Sequence, residues 1–108
     1  MLASGSFGGR AGHSGQGTAS LVRDADGSER LVFGGDFSVS GVPGPEVVLT
    51  SRDSLGTSID PATDLDLGPL QSAAGAQSYP LADDEGRRRA FIFCKPFGVE
   101  VALAVLEP

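Results

Sequence analysis

The chain has 108 residues and a formal net charge of -6 at pH 7. That length allows one domain with one modest core, and a small acidic chain repels phosphate backbones, which argues against nucleic acid as a partner. The single cysteine excludes an internal disulfide, and no apolar stretch approaches the roughly 20 residues that a membrane-spanning helix needs.

Glycines (16) and prolines (7) punctuate short apolar segments, which indicates an all-β chain with many turns. Residues 1–16 are rich in Gly and Ser and read as a flexible N-terminal segment, with Phe7 as a short edge strand or a plug into the core. Met1–Gly5 shows no charged-then-apolar leader, which leaves a cytosolic protein or a trimmed leader as alternatives. Thr18–Arg23 and Arg30–Phe33, joined through Asp24-Ala25-Asp26-Gly27, predict a hairpin over 18–34. Gly34-Gly35 marks a bend, Phe37 and Val39 share a parity, Pro43 and Pro45 mark a loop, and Glu46–Thr50 predicts a short buried strand.

Ser51–Thr63 has no period and reads as a long, mobile surface loop. Leu65, Leu67 and Leu70 around Gly68-Pro69 predict a short strand ending in a turn, and Gln77–Leu81 is extended because Tyr79 precedes Pro80. Ala82–Arg88 is a polar connection. The apolar run Ala90–Cys94 is short enough for a strand buried on both faces, with Ala90, Ile92 and Cys94 on one and Phe91 and Phe93 on the other. After the turn Lys95-Pro96-Phe97-Gly98, residues Val99, Val101, Leu103 and Val105 alternate with Glu100, Ala102, Ala104 and Leu106, which predicts a second strand with the first set on one face. This hairpin belongs at the centre of an antiparallel β-sandwich or flattened barrel of about eight short strands.

Cys94 is the sharpest candidate for chemistry. Its alternatives are a core thiol, a redox thiol, or a metal or haem ligand, and thiol reactivity needs a nearby cation and exposure. A one-cysteine redox cycle lacks a resolving partner within the chain. No Cys-x-x-Cys, haem-attachment or iron–sulfur spacing is present, so no cofactor and no metal centre is evident. His13, in a glycine-rich segment, is an exposed loop histidine or a base or ligand. Asp24–Gly27 lacks the later glutamate of a calcium loop and reads as a plain turn. Asp60, Asp64 and Asp66 read as a solvated acidic loop or a weak cation site. Arg87-Arg88-Arg89 reads as a solvated cationic edge that discourages strand pairing, or a docking patch for an acidic partner. Gln77 and Tyr79 close one end of the barrel or line a polar site.

Several segments fall in a familiar order: His13-Ser14-Gly15-Gln16-Gly17-Thr18-Ala19, the Asp-Gly hairpin, Asp36-Phe37-Ser38-Val39, and Gly44-Pro45-Glu46-Val47-Val48-Leu49. Then come Leu65-Asp66-Leu67-Gly68-Pro69-Leu70, Gly75-Ala76-Gln77-Ser78-Tyr79 and Ile92-Phe93-Cys94-Lys95-Pro96-Phe97. From about Phe7 to Leu106 the chain resembles the DM-thirteen domain, the electron-transfer DM-thirteen family. It departs from the family pattern where Phe93 stands for a tryptophan, Ala76 for an acidic residue, Ser78 for an asparagine, and Pro45-Glu46-Val47 for Pro-Asp-Leu. The resemblance implies a small β module that is exported, periplasmic, secreted or lipid-anchored with its leader removed, and a redox or electron-transfer role for Cys94 with a redox or protein partner.

Three functions follow as expectations: a redox module acting through Cys94, a structural or interaction domain with Cys94 as core packing, and a small-ligand or metal-binding module using His13, Asp66, Gln77 and Tyr79. A non-enzymatic role is expected in each, since no Gly-x-Ser-x-Gly elbow is present and His13 is the only histidine available for base work.

Overall fold

In the computed structural model, which describes residues 1–108, the chain has no helix and ten strands. They are β1 (Ala3–Gly9), β2 (Gly15–Gln16), β3 (Thr18–Arg23), β4 (Glu29–Phe33), β5 (Ser38–Val39), β6 (Pro45–Thr50), β7 (Asp64–Pro69), β8 (Gln77–Leu81), β9 (Arg89–Cys94) and β10 (Val99–Val105). Eight form one antiparallel sheet in the order β7-β6-β9-β10-β1-β3-β4-β8, and β2 pairs with β5 across one end. The sheet curls until its edge strands β7 and β8 approach one another, so the architecture is all-β and nearly a barrel.

The β3–β4 hairpin forms where the turn chemistry places it. Asp24 N–H donates to Ser28 O (2.7 Å), and Asp26 accepts from the Ser28 N–H and hydroxyl (3.0 and 2.6 Å). Alternation then sends Ala19 and Leu21 inward opposite Phe33 and Leu31. The final hairpin is central, as expected. Both faces of β9 are buried: Ala90, Ile92 and Cys94 join the main core, while Phe91 and Phe93 join Val48 and Leu55 in a smaller cluster on the outer face. Phe7, Phe33, Phe37 and Tyr79 pack edge-on or tilted in the main core, with centroids 4.6–5.3 Å apart.

Two expectations are corrected. Residues 1–16 do not form a flexible arm, because Ala3–Gly9 is an interior strand that pairs with β3 through Ala3–Ser6 and with β10 through Phe7–Gly9. At Gly5 the neighbouring strand comes too close for a side chain: a Cβ there would stand 2.1 Å from the Val105 carbonyl oxygen. Likewise, β10 does not keep one parity from Val99 to Val105. A bulge between Glu100 and Ala102 turns Val101, Ala102 and Ala104 into the main core, places Leu103 against the outer cluster and leaves Val105 44% exposed.

No ladder joins β7 to β8, and the connection that follows β7 is fastened to β8 by hydrogen bonds. The Gln71 N–H donates to Tyr79 Oη (2.8 Å), Gln71 Nε2 to Ser78 O (2.7 Å) and the Ser72 N–H to Gln77 Oε1 (3.3 Å).

Candidate functional site

Cys94 ends β9 on the core face and is 2% exposed. Its Sγ donates to Pro43 O at 3.1 Å, and the segment around Pro43 is held down by Lys95 N–H on Gly44 O (3.2 Å) and Leu70 N–H on Pro45 O (2.9 Å). Gly44, at φ +56°, lies so close to Pro96 that a Cβ would meet its ring at 2.6 Å. The thiol is therefore sealed under a close-packed strap. Lys95, next in sequence, turns its ammonium to the outer face towards Glu46 and Asp66.

The other sequence candidates do not converge on Cys94. His13 is half-buried in the turn after β1, where its N–H donates to Arg10 O (2.9 Å), and no hydrogen bond or ion pair joins its ring to another side chain. Gln77 and Tyr79 are buried and bonded to each other, and Gln77 Nε2 also donates to Ser72 O and Gly75 O (3.0 Å each). They fasten the connection from β7 to β8 and leave no free acceptor for a ligand.

Asp66 lies on the outer face, where the structure opens a cleft of about 380 Å3 lined by Ile59, Pro61, Asp64, Asp66 and Lys95. Loop 51–63 forms one wall. It carries no strand, as expected, but it is pinned and not free. Leu55 is buried against Val48, Phe91 and Phe93, and Glu100 Oε2 accepts from Ser54 Oγ and the Leu55 N–H (2.7 Å each) while Arg10 holds its other oxygen at 3.1 Å. The reading of Asp60, Asp64 and Asp66 as a solvated loop or one weak cation site is corrected at Asp64. Its buried carboxylate accepts from Thr50 Oγ1 (2.6 Å), Arg52 Nε (2.9 Å), Arg52 Nη2 and the Asp60 N–H (2.7 Å). Burial acts to raise its pKa, and these donors together outweigh burial and hold the group ionised far below the usual carboxylate range.

Glu46, beside Asp66 on the outer face, is the residue that sequence reasoning missed. Its side chain is 15% exposed, its Oε1 lies 3.8 Å from Lys95 Nζ, and its buried Oε2 has no hydrogen-bond partner. Burial pushes its carboxyl up, the neighbouring Asp66 carboxyl adds to the rise through its charge and a hydrogen bond between the two side chains, and Lys95 only partly offsets this. Asp66 Oδ1 accepts from the Gly68 N–H (2.9 Å), while its Oδ2 has Lys95 Nζ at 3.9 Å. The available signal was an acid next to the apolar run Val47–Leu49.

At the opposite end, carboxylate oxygens of Glu29, Asp83 and Asp84 lie within 4.8 Å of one another. This cluster was also missed, although Glu29 shares the inward parity of Leu31 and Phe33. Two of its three members are paired within the fold: Arg23 binds Glu29 at 2.9 Å, Arg88 binds Asp84 at 2.7 Å, and the Asp84 and Gly86 N–H groups donate to Glu29 and Asp84, while Asp83 is exposed. The expected solvated edge at Arg87–Arg89 is corrected by the same contacts. The β9 strand that Arg89 opens is interior, and Arg87, Arg88 and Arg89 pair with Glu85, Asp84 and Asp53 in turn. Compared with protein-family models, curated proteins and solved structures, the chain matches none.

Proposed function

We propose that this chain is a non-enzymatic binding module whose ligand site is the cleft between loop 51–63 and the outer face of β6 and β7. The observation that carries the reading is the cleft of about 380 Å3, where Asp66 and Lys95 bring opposite charges beside Ile59 and Pro61. Cavities of roughly 300–1,000 Å3 with a few convergent polar groups are the usual form of small-ligand sites. The test is a fragment screen by amide chemical shifts on the full chain, using neutral, anionic and cationic compounds. Shifts clustered at Ile59, Asp66 and Lys95 support the site, and binding confined to other surfaces removes it.

In this reading Cys94 packs the core. The electron-transfer role that the DM-thirteen resemblance implies requires an accessible thiolate near a cation, whereas Cys94 is buried and donates to Pro43. Native Cys94 is expected to react with a thiol reagent far more slowly than the denatured thiol from about pH 6 to about pH 9. A fast native reaction, with a midpoint well below the usual thiol value, reinstates the redox role.

A further inference from the structure

We propose that the cleft receives Phe97 of a second copy of this chain, two molecules related by a two-fold axis each placing the phenyl ring of the β9–β10 turn against Ile59 and Pro61 of the other. This rests on the reading of the cleft as a binding site and names its occupant.

The knob is an aromatic side chain held out in water by a braced turn. Phe97 is 70% exposed, and apart from Met1 and Val105 it is the only large apolar side chain so placed. The turn that carries it, Lys95 to Gly98, is wedged from both sides. On one side the Lys95 N–H donates to Gly44 O (3.2 Å), and a Cβ on Gly44 would meet the Pro96 ring at 2.6 Å. On the other, Gly98 has φ +63°, and a Cβ on it would stand 2.5 Å from the Thr57 carbonyl oxygen. An aromatic anchor positioned in advance loses little freedom when it binds.

The hole lies beside the knob. Lys95, from the same turn, lines the cleft, and Gly98 abuts the loop at Thr57, next to the cleft wall that begins at Ile59. Phe97 is not a lining residue, so its ring leaves its own cleft unfilled. An apolar cavity of about 150 Å3 already holds benzene, so a cleft of about 380 Å3 admits a phenyl ring, with Ile59 and Pro61 as its apolar wall. A two-fold contact uses the same patch on both molecules, and a projecting ring next to an open cleft makes that patch complementary to itself. Charge agrees with this approach. Asp64 is neutralised by Arg52, and Asp66 is set against Lys95, so two copies meet at the cleft without the repulsion that a net charge of -6 imposes elsewhere. The two phenylalanines bring about 300–500 Å2 to the contact, below the roughly 1,200 Å2 of a stable interface, so the dimer is weak and concentration-dependent.

Reciprocal insertion has a signature that stacking of the two phenylalanines on each other lacks. A chain without the ring keeps its cleft, and a chain with a spoiled cleft keeps its ring. The two variants therefore pair with each other through one ring and one cleft, although neither pairs with itself.

The experiment is sedimentation velocity with amide chemical shifts on the full chain, up to about 1 mM, for the parent, Phe97→Ser, Pro61→Asp, Lys95→Glu and an equimolar mixture of Phe97→Ser with Pro61→Asp. The amide spectrum of each variant reports whether it keeps the fold, and Phe97→Ser, at an exposed position, decides the question if Pro61→Asp does not. The parent is expected to dimerise with shifts at Ile59, Asp66 and Phe97. Phe97→Ser and Pro61→Asp are each expected to weaken the dimer at least about tenfold, Lys95→Glu to weaken it by making the cleft mouth wholly acidic, and the mixture to recover part of the loss. Phe97→Ser that dimerises as tightly as the parent overturns the proposal, and so do shifts confined to residues away from the cleft. A mixture no tighter than either variant alone overturns insertion in favour of ring stacking. A parent that stays monomeric at about 1 mM overturns the second copy as occupant. N-acetyl-phenylalaninamide, titrated into Phe97→Ser, then separates the two readings: shifts at Ile59 and Asp66 keep the cleft as a binding site, and no shift there removes it as well.

Discussion

Asp64 and Glu46 are carboxyls on neighbouring strands that the fold drives in opposite directions. Asp64 gains more from Arg52, Thr50 and the Asp60 N–H than it loses by burial, so its folded pKa lies below its ordinary value of 3.8. A depressed carboxylate contributes stability that is present above the ordinary value and is lost as pH falls through the folded one. Replacing Asp64 by Asn leaves Arg52 without its partner and is expected to cost about 3 kcal/mol at neutral pH, read from urea unfolding, with a smaller deficit in acid. Glu46 is raised above 4.5 by burial first and Asp66 second. The folded state then holds its proton more tightly than the unfolded state, so stability declines as pH rises from 4.5 through the folded value. The expected outcome for Glu46→Gln is a higher melting temperature at neutral pH and no gain below pH 4.5; an unchanged neutral-pH melting temperature counts against the strained carboxyl.

At the scale of elements, β1 is the informative case. Its composition, Ala-Ser-Gly-Ser-Phe-Gly-Gly, has low strand propensity, and its position between β10 and β3 overrides that propensity. The glycines in it are not equivalent. A Cβ on Gly5 meets the Val105 carbonyl oxygen at 2.1 Å, whereas a Cβ on Gly8 meets nothing within 4 Å. Gly5→Ala is therefore expected to destabilise by about 2–3 kcal/mol through overpacking, while Gly8→Ala stays within about 0.5 kcal/mol of the parent. Equal urea midpoints for the two variants would show that β1 is not held as tightly as its pairing requires. Loop 51–63 carries the same lesson in reverse. Its polar composition suggests mobility, but Leu55 anchors it in the outer cluster and Glu100 and Asp64 fasten it, so it becomes a fixed wall of the cleft.

For the whole molecule, the strand order joins the two ends of the chain, since β1 pairs with β10 through Phe7 and Ala104. The sheet centre is completed only when residues about a hundred positions apart meet, so folding is expected on the millisecond-to-second scale of high-contact-order β proteins. The β7–β8 seam, which no ladder crosses, is the weakest line of the sheet. Amide hydrogen exchange is expected to be slowest at Ile92 and Ala104, opening only with global unfolding, and faster by local opening along the free edges of β7 and β8. Equal protection across the seam would mean that the barrel is closed there as firmly as elsewhere.

What the amino-acid order determined by itself was local in origin. Turn chemistry at Asp24–Gly27 and alternation in the flanking runs place the β3–β4 hairpin, and the short apolar run at Ala90–Cys94 gives both its two-sided burial and the inward face of the thiol. These features depend on neighbours within a few residues, where period-two geometry and turn preference act directly. Tertiary structure alone decided the rest. The role of β1 is dictated by Val105 and its pairing with β3, the bulge at Glu100–Ala102 reassigns the faces of β10, and Glu29 meets Asp84 across 55 positions. The candidate site divides in the same way: Asp66 was legible as an exposed acid, but its partners Glu46 and Lys95 and the walls at Ile59 and Pro61 come from other segments. Burial and charge pairing are properties of which surfaces meet, and no local pattern encodes the meeting of segments far apart in the chain.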